Sequence, residues 1–265
     1  MLIITCDGIG TAGVSPDDSR SILGHVSARL SQKTGQHRII PVNWPASMAG
    51  IGGPQSWTVA AHMGVLELDK ITREHPDQPL ILLAYSGGNR VVHDWLDTRP
   101  EMLDRVAAVG LMSDPYRPRD RQQHGLPRTR GWGICGERHG PIPARSFWVT
   151  NPGDVISDAL PDSLLRTVAD LSDQIPGGLL ADLAGHHHRG DWQLLWQLGI
   201  LRTNPLGWLG TLGSRLDQAR RDIDGYLSGD HTTGYTKAFS TPDGKTTSLA
   251  HRLADSIAWS IRNRV

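Results

Sequence analysis

The chain has 265 residues, with 27 basic and 27 acidic side chains in balance. That balance excludes the electrostatic footprint of a nucleic-acid binder or of a protein drawn to anionic membrane surfaces. The length suits one large α/β domain or a core with a subdomain, and two cysteines, Cys6 and Cys135, exclude a disulfide framework while leaving a single bridge open.

Leu2-Ile3-Ile4-Thr5 is apolar and β-branched, and it reads as a first buried strand running into the turn Cys6-Asp7-Gly8-Ile9-Gly10. Residues 19–30 follow with Ile22, Leu23, Val26 and Leu30 on one helical face. Residues 37–43 read as a second strand. Residues 57–73 read as a long helix, with Val59, Met63, Leu66 and Ile71 at helical spacing. Leu80 to Leu83 is an apolar run too short for a helix and bounded by Pro79, as expected of a buried strand. Beyond Ser86-Gly87-Gly88 the apolar positions Val91, Val92, Trp95 and Leu96 return to helical spacing. Strands over 106–112 and 145–150 follow, separated by a loop over 116–140 rich in arginine, which could meet an anionic polymer or simply be solvated. This alternation of strand and helix predicts a parallel sheet.

From Leu164 to Leu227 the pattern becomes helical throughout, too long for a simple crossover. Residues 1–163 and 229–265 are therefore read as one core, with 164–228 as a helical insertion. A last helix is expected over 248–261, with Leu249, Leu253, Ile257 and Ile261 as its buried stripe. No stretch has the length of a transmembrane helix, and the N-terminus lacks the basic and long apolar regions of a secretory signal.

The chemistry centres on Ala84-Tyr85-Ser86-Gly87-Gly88. A serine between a strand and a helix, with small residues two before and two after, matches the nucleophile elbow except that Ala84 stands for the first glycine. The helix behind it aims its N–H groups at the point where negative charge would develop. Asp154 follows the strand over 145–150 and is the expected acid, with Asp158 as the nearest alternative and Asp114 better read as a turn cap. His231 lies in a polar loop ahead of the last helix and is the expected base, over His251, His62, His93 and His139. The order Ser86, Asp154, His231 is the one used on α/β-hydrolase scaffolds. The Gly87 N–H and an N–H from the Gly8-Ile9 turn are the expected oxyanion donors. That role is preferred over a nucleotide-binding loop because no P-loop lysine accompanies the turn, and a plain structural turn is the other reading. Neither a metal nor a cofactor is expected, since His186-His187-His188 are adjacent residues without an accompanying carboxylate pattern.

Ala-Tyr-Ser-Gly-Gly at 84–88, Ser-Asp-Pro at 113–115, Asn-Pro-Gly-Asp at 151–154 and Asp-His-Thr-Thr-Gly-Tyr at 230–235 together resemble the cutinase-like α/β-hydrolases. With a long helical insertion between acid and histidine, the chain looks like the lysin B proteins of mycobacteriophages and related phages. Ala84 and Gly87 depart from the commoner glycine and glutamine. The resemblance implies a serine esterase that cuts mycolic acids from arabinogalactan, with a lipid–sugar ester as its partner and no nucleic acid. It also implies synthesis in the host cytoplasm without a leader and action at the envelope during lysis. Trp192, Trp196 or Trp208 could form one wall of an acyl groove, although core packing is the commoner use of a tryptophan. A cutinase-like lipase acting on shorter esters is the alternative enzyme. A hydrolase-fold binding module without activity is the other.

Overall fold

The computed structural model describes residues 1–11, 21–48, 51–166, 169, 205–241 and 244–263. The tryptophans at 192 and 196, the histidines at 186–188 and most of the expected insertion lie outside these residues, as does the Trp208 side chain.

Five strands form one parallel sheet in the order β2-β1-β3-β4-β5. They are β1 (Leu2–Cys6), β2 (Arg38–Pro41), β3 (Leu80–Tyr85), β4 (Val106–Met112) and β5 (Ser146–Val149). β1, β3 and β4 are buried along their whole length, which is why their sequences are continuous apolar runs rather than alternating ones.

The two-residue repeat of a strand sorts these side chains between two cores. Leu2, Ile4, Leu80, Leu82 and Ala84 join one cluster with helices α2 (Trp57–Glu74) and α3 (Gly88–Thr98). Ile3, Ile81, Leu83 and Tyr85 join the other, with α1 (Ile22–Thr34) and the last helix, α5 (Leu249–Arg262). Burying each such leucine or isoleucine contributes about 1.5–3 kcal/mol. Across the second layer Arg29 pairs with Asp255 at 3.0 Å, tying α1 to α5.

Serines set the helix starts. Ser21, Ser56 and Ser248 each accept a backbone N–H three residues on, closing α1, α2 and α5 at their N-termini. Helix α1 thus begins at Ile22 rather than near residue 19. It runs on through the polar residues Ser31 to Thr34, which give no apolar signal, and ends where the Gly35 N–H donates to Ser31 O at 3.0 Å. Of the expected insertion, the structure describes helix α4 (Pro205–Ser228). A two-stranded antiparallel ribbon, β6 (Phe239–Ser240) with β7 (Thr246–Thr247), precedes α5 and gives no signal in the sequence because each strand has only two residues.

In the arginine-rich loop over 116–140, Arg119, Arg121, Arg128 and Arg130 are exposed, as in the solvated loop expected, but Arg117 is not. Arg117 is fully buried, and its guanidinium donates to the carbonyls of Ser157, Pro118, Arg121 and Gly131. Arg166 gathers the carbonyls of Leu160, Gly133, Ile134, Trp132 and Ala159. Irregular backbone leaves its carbonyls without the donors of a helix or sheet, and a planar five-donor group satisfies many at once. These arginines brace the segment that carries Asp154.

Candidate active site

Ser86 stands at the sharp turn between β3 and α3, with φ +51°. Its N–H donates to Met112 O at 3.0 Å, tying the turn to the end of β4. Two glycines make the turn possible. A Cβ on Gly88 would lie 2.1 Å from Cys6 O and 2.5 Å from Asp7 O, and one on Gly8 would lie 3.0 Å from Ser86 Cβ. Ala84, where a glycine is commoner, is fully buried beside Cys6 and Leu111 in the sheet, and its methyl group packs in the α2–α3 core.

The structure brings Ser86, His231 and Asp154 together. Ser86 Oγ lies 2.9 Å from His231 Nε2. On the far side of the ring, His231 Nδ1 lies 3.0 Å from Asp154 Oδ1. All three residues are buried. With Nδ1 facing a carboxylate, the neutral ring carries its proton there and leaves Nε2 free to accept from the serine hydroxyl.

Asp154 closes a tight turn, its N–H donating to Asn151 O at 3.0 Å. Oδ1 accepts the Ile156 N–H at 3.1 Å, and Oδ2 accepts hydroxyls from Ser113 at 2.5 Å, Tyr235 at 2.5 Å and Ser157 at 3.2 Å. Burial works against the charge, but the His231 imidazole and the hydroxyls of Ser113 and Tyr235 outweigh it. The carboxyl is held below its ordinary range. Burial first, and then the Asp154 charge, push the Tyr235 phenol well above its ordinary value, so it remains a donor.

The imidazole is also held by two aromatic rings. Tyr85 stacks on it at a centroid distance of 5.3 Å, and Tyr226 of α4 at 4.9 Å. The Tyr85 hydroxyl donates to His231 O. Asn151 Nδ2 donates to Asp230 O at 2.9 Å, fixing the loop that presents the histidine.

Gly87 and the Gly8-Ile9 turn face each other. A Cβ on Gly87 would lie 2.6 Å from Ile9 Cγ1 and 3.5 Å from Ile9 N. Gly8, Gly10 and Gly13 do stand at the G-x-G-x-x-G spacing of dinucleotide sites. Here, however, the first of these glycines packs against the nucleophile, a Cβ on Gly8 lying 3.0 Å from Ser86 Cβ.

The other candidates take different places. Asp158 accepts the N–H groups of Arg130, Gly131 and Gly153 and lies 3.8 Å from Arg117, so it braces the loop. Asp114 accepts the Tyr116 N–H at 2.9 Å, as a turn cap does, but it also meets His93 Nε2 and Trp148 Nε1, each at 2.9 Å. This second imidazole–carboxylate pair holds α3 against β4 and β5. His251 sits in α5, where its N–H donates to the Ser248 cap at 3.2 Å. Ser113, Tyr85 and Tyr235 fall within the motifs quoted above without a role assigned to them there, and Ser157 and Tyr226 were not singled out.

Among the described residues no group of histidine, cysteine, aspartate or glutamate side chains could hold a metal ion, and no helix is long and apolar enough to cross a membrane. Cys6 and Cys135 are not bonded to each other.

No protein-family model and no curated protein matches the sequence. Solved structures do resemble the chain. Lysin B from Mycobacteriophage D29 superposes with a TM-score of 0.52 at 16% identity, over 85% of this chain and 88% of that one. An acetylxylan esterase matches with a TM-score of 0.47 at 14% identity, over 60% and 86%. A cutinase-like protein from Cryptococcus sp. matches with 0.42 at 15%, over 59% and 78%. At such identities the likeness is one of fold, and with the five-stranded parallel sheet between two helical layers it establishes that this chain has the α/β-hydrolase fold.

Proposed function

We propose that the chain is a serine ester hydrolase that transfers an acyl group to water through an acyl-enzyme. The observation that carries this reading is the unbroken hydrogen-bonded chain from Ser86 Oγ through His231 to Asp154, at 2.9 and 3.0 Å. Ser86 Oγ attacks the ester carbonyl as His231 Nε2 takes its proton, and Asp154 stabilises the imidazolium. The Gly87 N–H and the N–H of Ile9, on the Gly8 turn, receive the oxyanion. Losing one such donor costs a factor of about 100–1,000 in rate. His231 then protonates the leaving alcohol, and water repeats the sequence in reverse. The mechanism calls on no metal or cofactor.

For the substrate we propose the ester between a mycolic acid and arabinogalactan, cleaved at the host envelope during phage lysis by a protein made in the cytoplasm. The sequence resemblance supports it, as does the shared fold with a lysin B over 85% of the chain. Helix α4, at the end of the proposed insertion 164–228, offers apolar surface beside the base: Tyr226 lies on His231, and Leu227 is 76% exposed.

The test is hydrolysis of a p-nitrophenyl ester series by wild type and Ser86→Ala, followed by mycolate release from purified mycobacterial envelope. Wild type should turn over and the variant fall to background. Equal rates in the two would remove Ser86 from the mechanism. Short esters cleaved without mycolate release would reduce the reading to a short-chain esterase.

A further inference from the structure

The end of β4 touches both halves of the site. Met112 O accepts the Ser86 N–H at 3.0 Å and the Asn89 side-chain amide at 2.9 Å. The next residue, Ser113, turns into the left-handed region with φ +51° and is fully buried. A non-glycine residue there is strained, and the strain persists only where the surroundings impose it. Its N–H is fixed to Val149 O at 3.1 Å. This conformation aims the hydroxyl between Asp154 and His231. Ser113 Oγ donates to Asp154 Oδ2 at 2.5 Å and lies 3.1 Å from His231 Nδ1. With its own proton committed to the carboxylate, the oxygen has only lone pairs to offer the imidazole. The Nδ1–H proton therefore has two acceptors at nearly equal distance, Asp154 Oδ1 at 3.0 Å and Ser113 Oγ at 3.1 Å.

We propose that Ser113 is a positioning residue of the site, its hydroxyl bridging Asp154 and His231 so that the Nδ1 proton is held in a three-centre bond. The proposal rests on the Ser86–His231–Asp154 reading above. The bridge locks the carboxylate against rotation, since Oδ2 is held by the Ser113 and Tyr235 hydroxyls while Oδ1 faces the ring. It also gives the imidazolium a second acceptor as it forms. The same two-residue segment, Met112-Ser113, thus sets the spacing between nucleophile and base.

The experiment compares Ser113→Gly, Ser113→Ala and Ser86→Ala with wild type on a p-nitrophenyl ester. Glycine suits the backbone at residue 113, so Ser113→Gly should fold and melt no lower than Ser113→Ala. Its kcat should nonetheless fall about ten-fold with KM unchanged, as for a lost bond to a charged group. Ser113→Ala should lose a similar factor in kcat. In proton NMR of the wild type at low pH, the downfield Nδ1–H resonance of His231 should be sharp, and in both variants it should broaden by exchange. Wild-type kcat in Ser113→Gly, with Ser86→Ala inactive, would overturn the bridge and leave the triad intact. A loss confined to Ser113→Ala and matched by a lower melting temperature would reduce Ser113 to packing. Activity in Ser86→Ala would instead remove the reading on which the bridge depends.

Discussion

Gly88→Ala is the sharpest test of how the elbow is built. The added methyl would sit 2.1 Å from Cys6 O, 2.5 Å from Asp7 O and 2.7 Å from Cys6 C. Relaxed carbon contacts lie near 3.5 Å, so β1 and α3 must separate by about 1 Å. None of these atoms belongs to a side chain that can turn away, and Cys6 is paired with Ala84 in the sheet. Overpacking of this kind costs about 1–3 kcal/mol, and the backbone clash puts the variant at the upper end, about 3 kcal/mol. For a domain of this size the melting temperature should drop by about 6–12 °C. The displacement also moves the Gly8-Ile9 turn relative to Ser86, and an error of about 1 Å in placement costs on the order of 100-fold in rate. Urea unfolding and steady-state ester hydrolysis read the two effects separately. Ala84→Gly is the contrast: it deletes one buried methyl and loosens the strand, for about 1–2 kcal/mol, without moving the turn. If Gly88→Ala kept wild-type stability and rate, the close approach of α3 to β1 would not be what constrains the elbow.

Two further outcomes are expected. Tyr226→Ala removes one of the two rings on His231, and an aromatic pair contributes about 0.5–1.5 kcal/mol, so kcat should fall roughly 2- to 12-fold. Because Tyr226 is 45% exposed, the melting temperature should barely change, and a loss of stability without a loss of rate would contradict this role. Asp7 is partly buried, and burial pushes its carboxyl from 3.8 to about 6. A carboxyl whose folded value is raised leaves stability intact below pH 4 and removes it as pH rises through 6. Asp7→Asn should therefore stabilise the fold by about 1–3 kcal/mol above pH 6 and leave it unchanged below pH 4. Urea midpoints that moved equally at pH 4 and pH 8 would refute that assignment.

What the sequence disclosed and what it concealed follow a physical division. β1, β3 and β4 are buried on both faces, so their apolar runs are local and legible. The helices show their apolar face every three or four residues. Ser86 was marked because the elbow needs small residues at fixed spacing, a constraint written within five positions. Asp154 and His231 were marked by their order and by the strand and helix beside them. The partnership of Ser113 and Tyr235 with Asp154 could not be marked in this way. A hydroxyl that donates to a carboxylate 41 or 81 residues away leaves no trace in its own neighbourhood. Arg117 and Arg166 were illegible for a related reason, since their partners are carbonyls of irregular backbone, which any residue type supplies. The His93–Asp114 pair spans two elements, and neither residue's surroundings in the sequence announce the other.

The pinning of His231 has one more consequence. With two tyrosines stacked on it, Nδ1 engaged by Asp154 and Ser113, and its carbonyl taken by Tyr85, the ring cannot swing between two stations. In the proposed reaction every proton must therefore pass through Nε2 at one point in space. The departing alcohol and the incoming water share that doorway in turn. A second alcohol standing there would be activated as readily as water, so the division between hydrolysis and transacylation is left to whichever hydroxyl crowds the entrance.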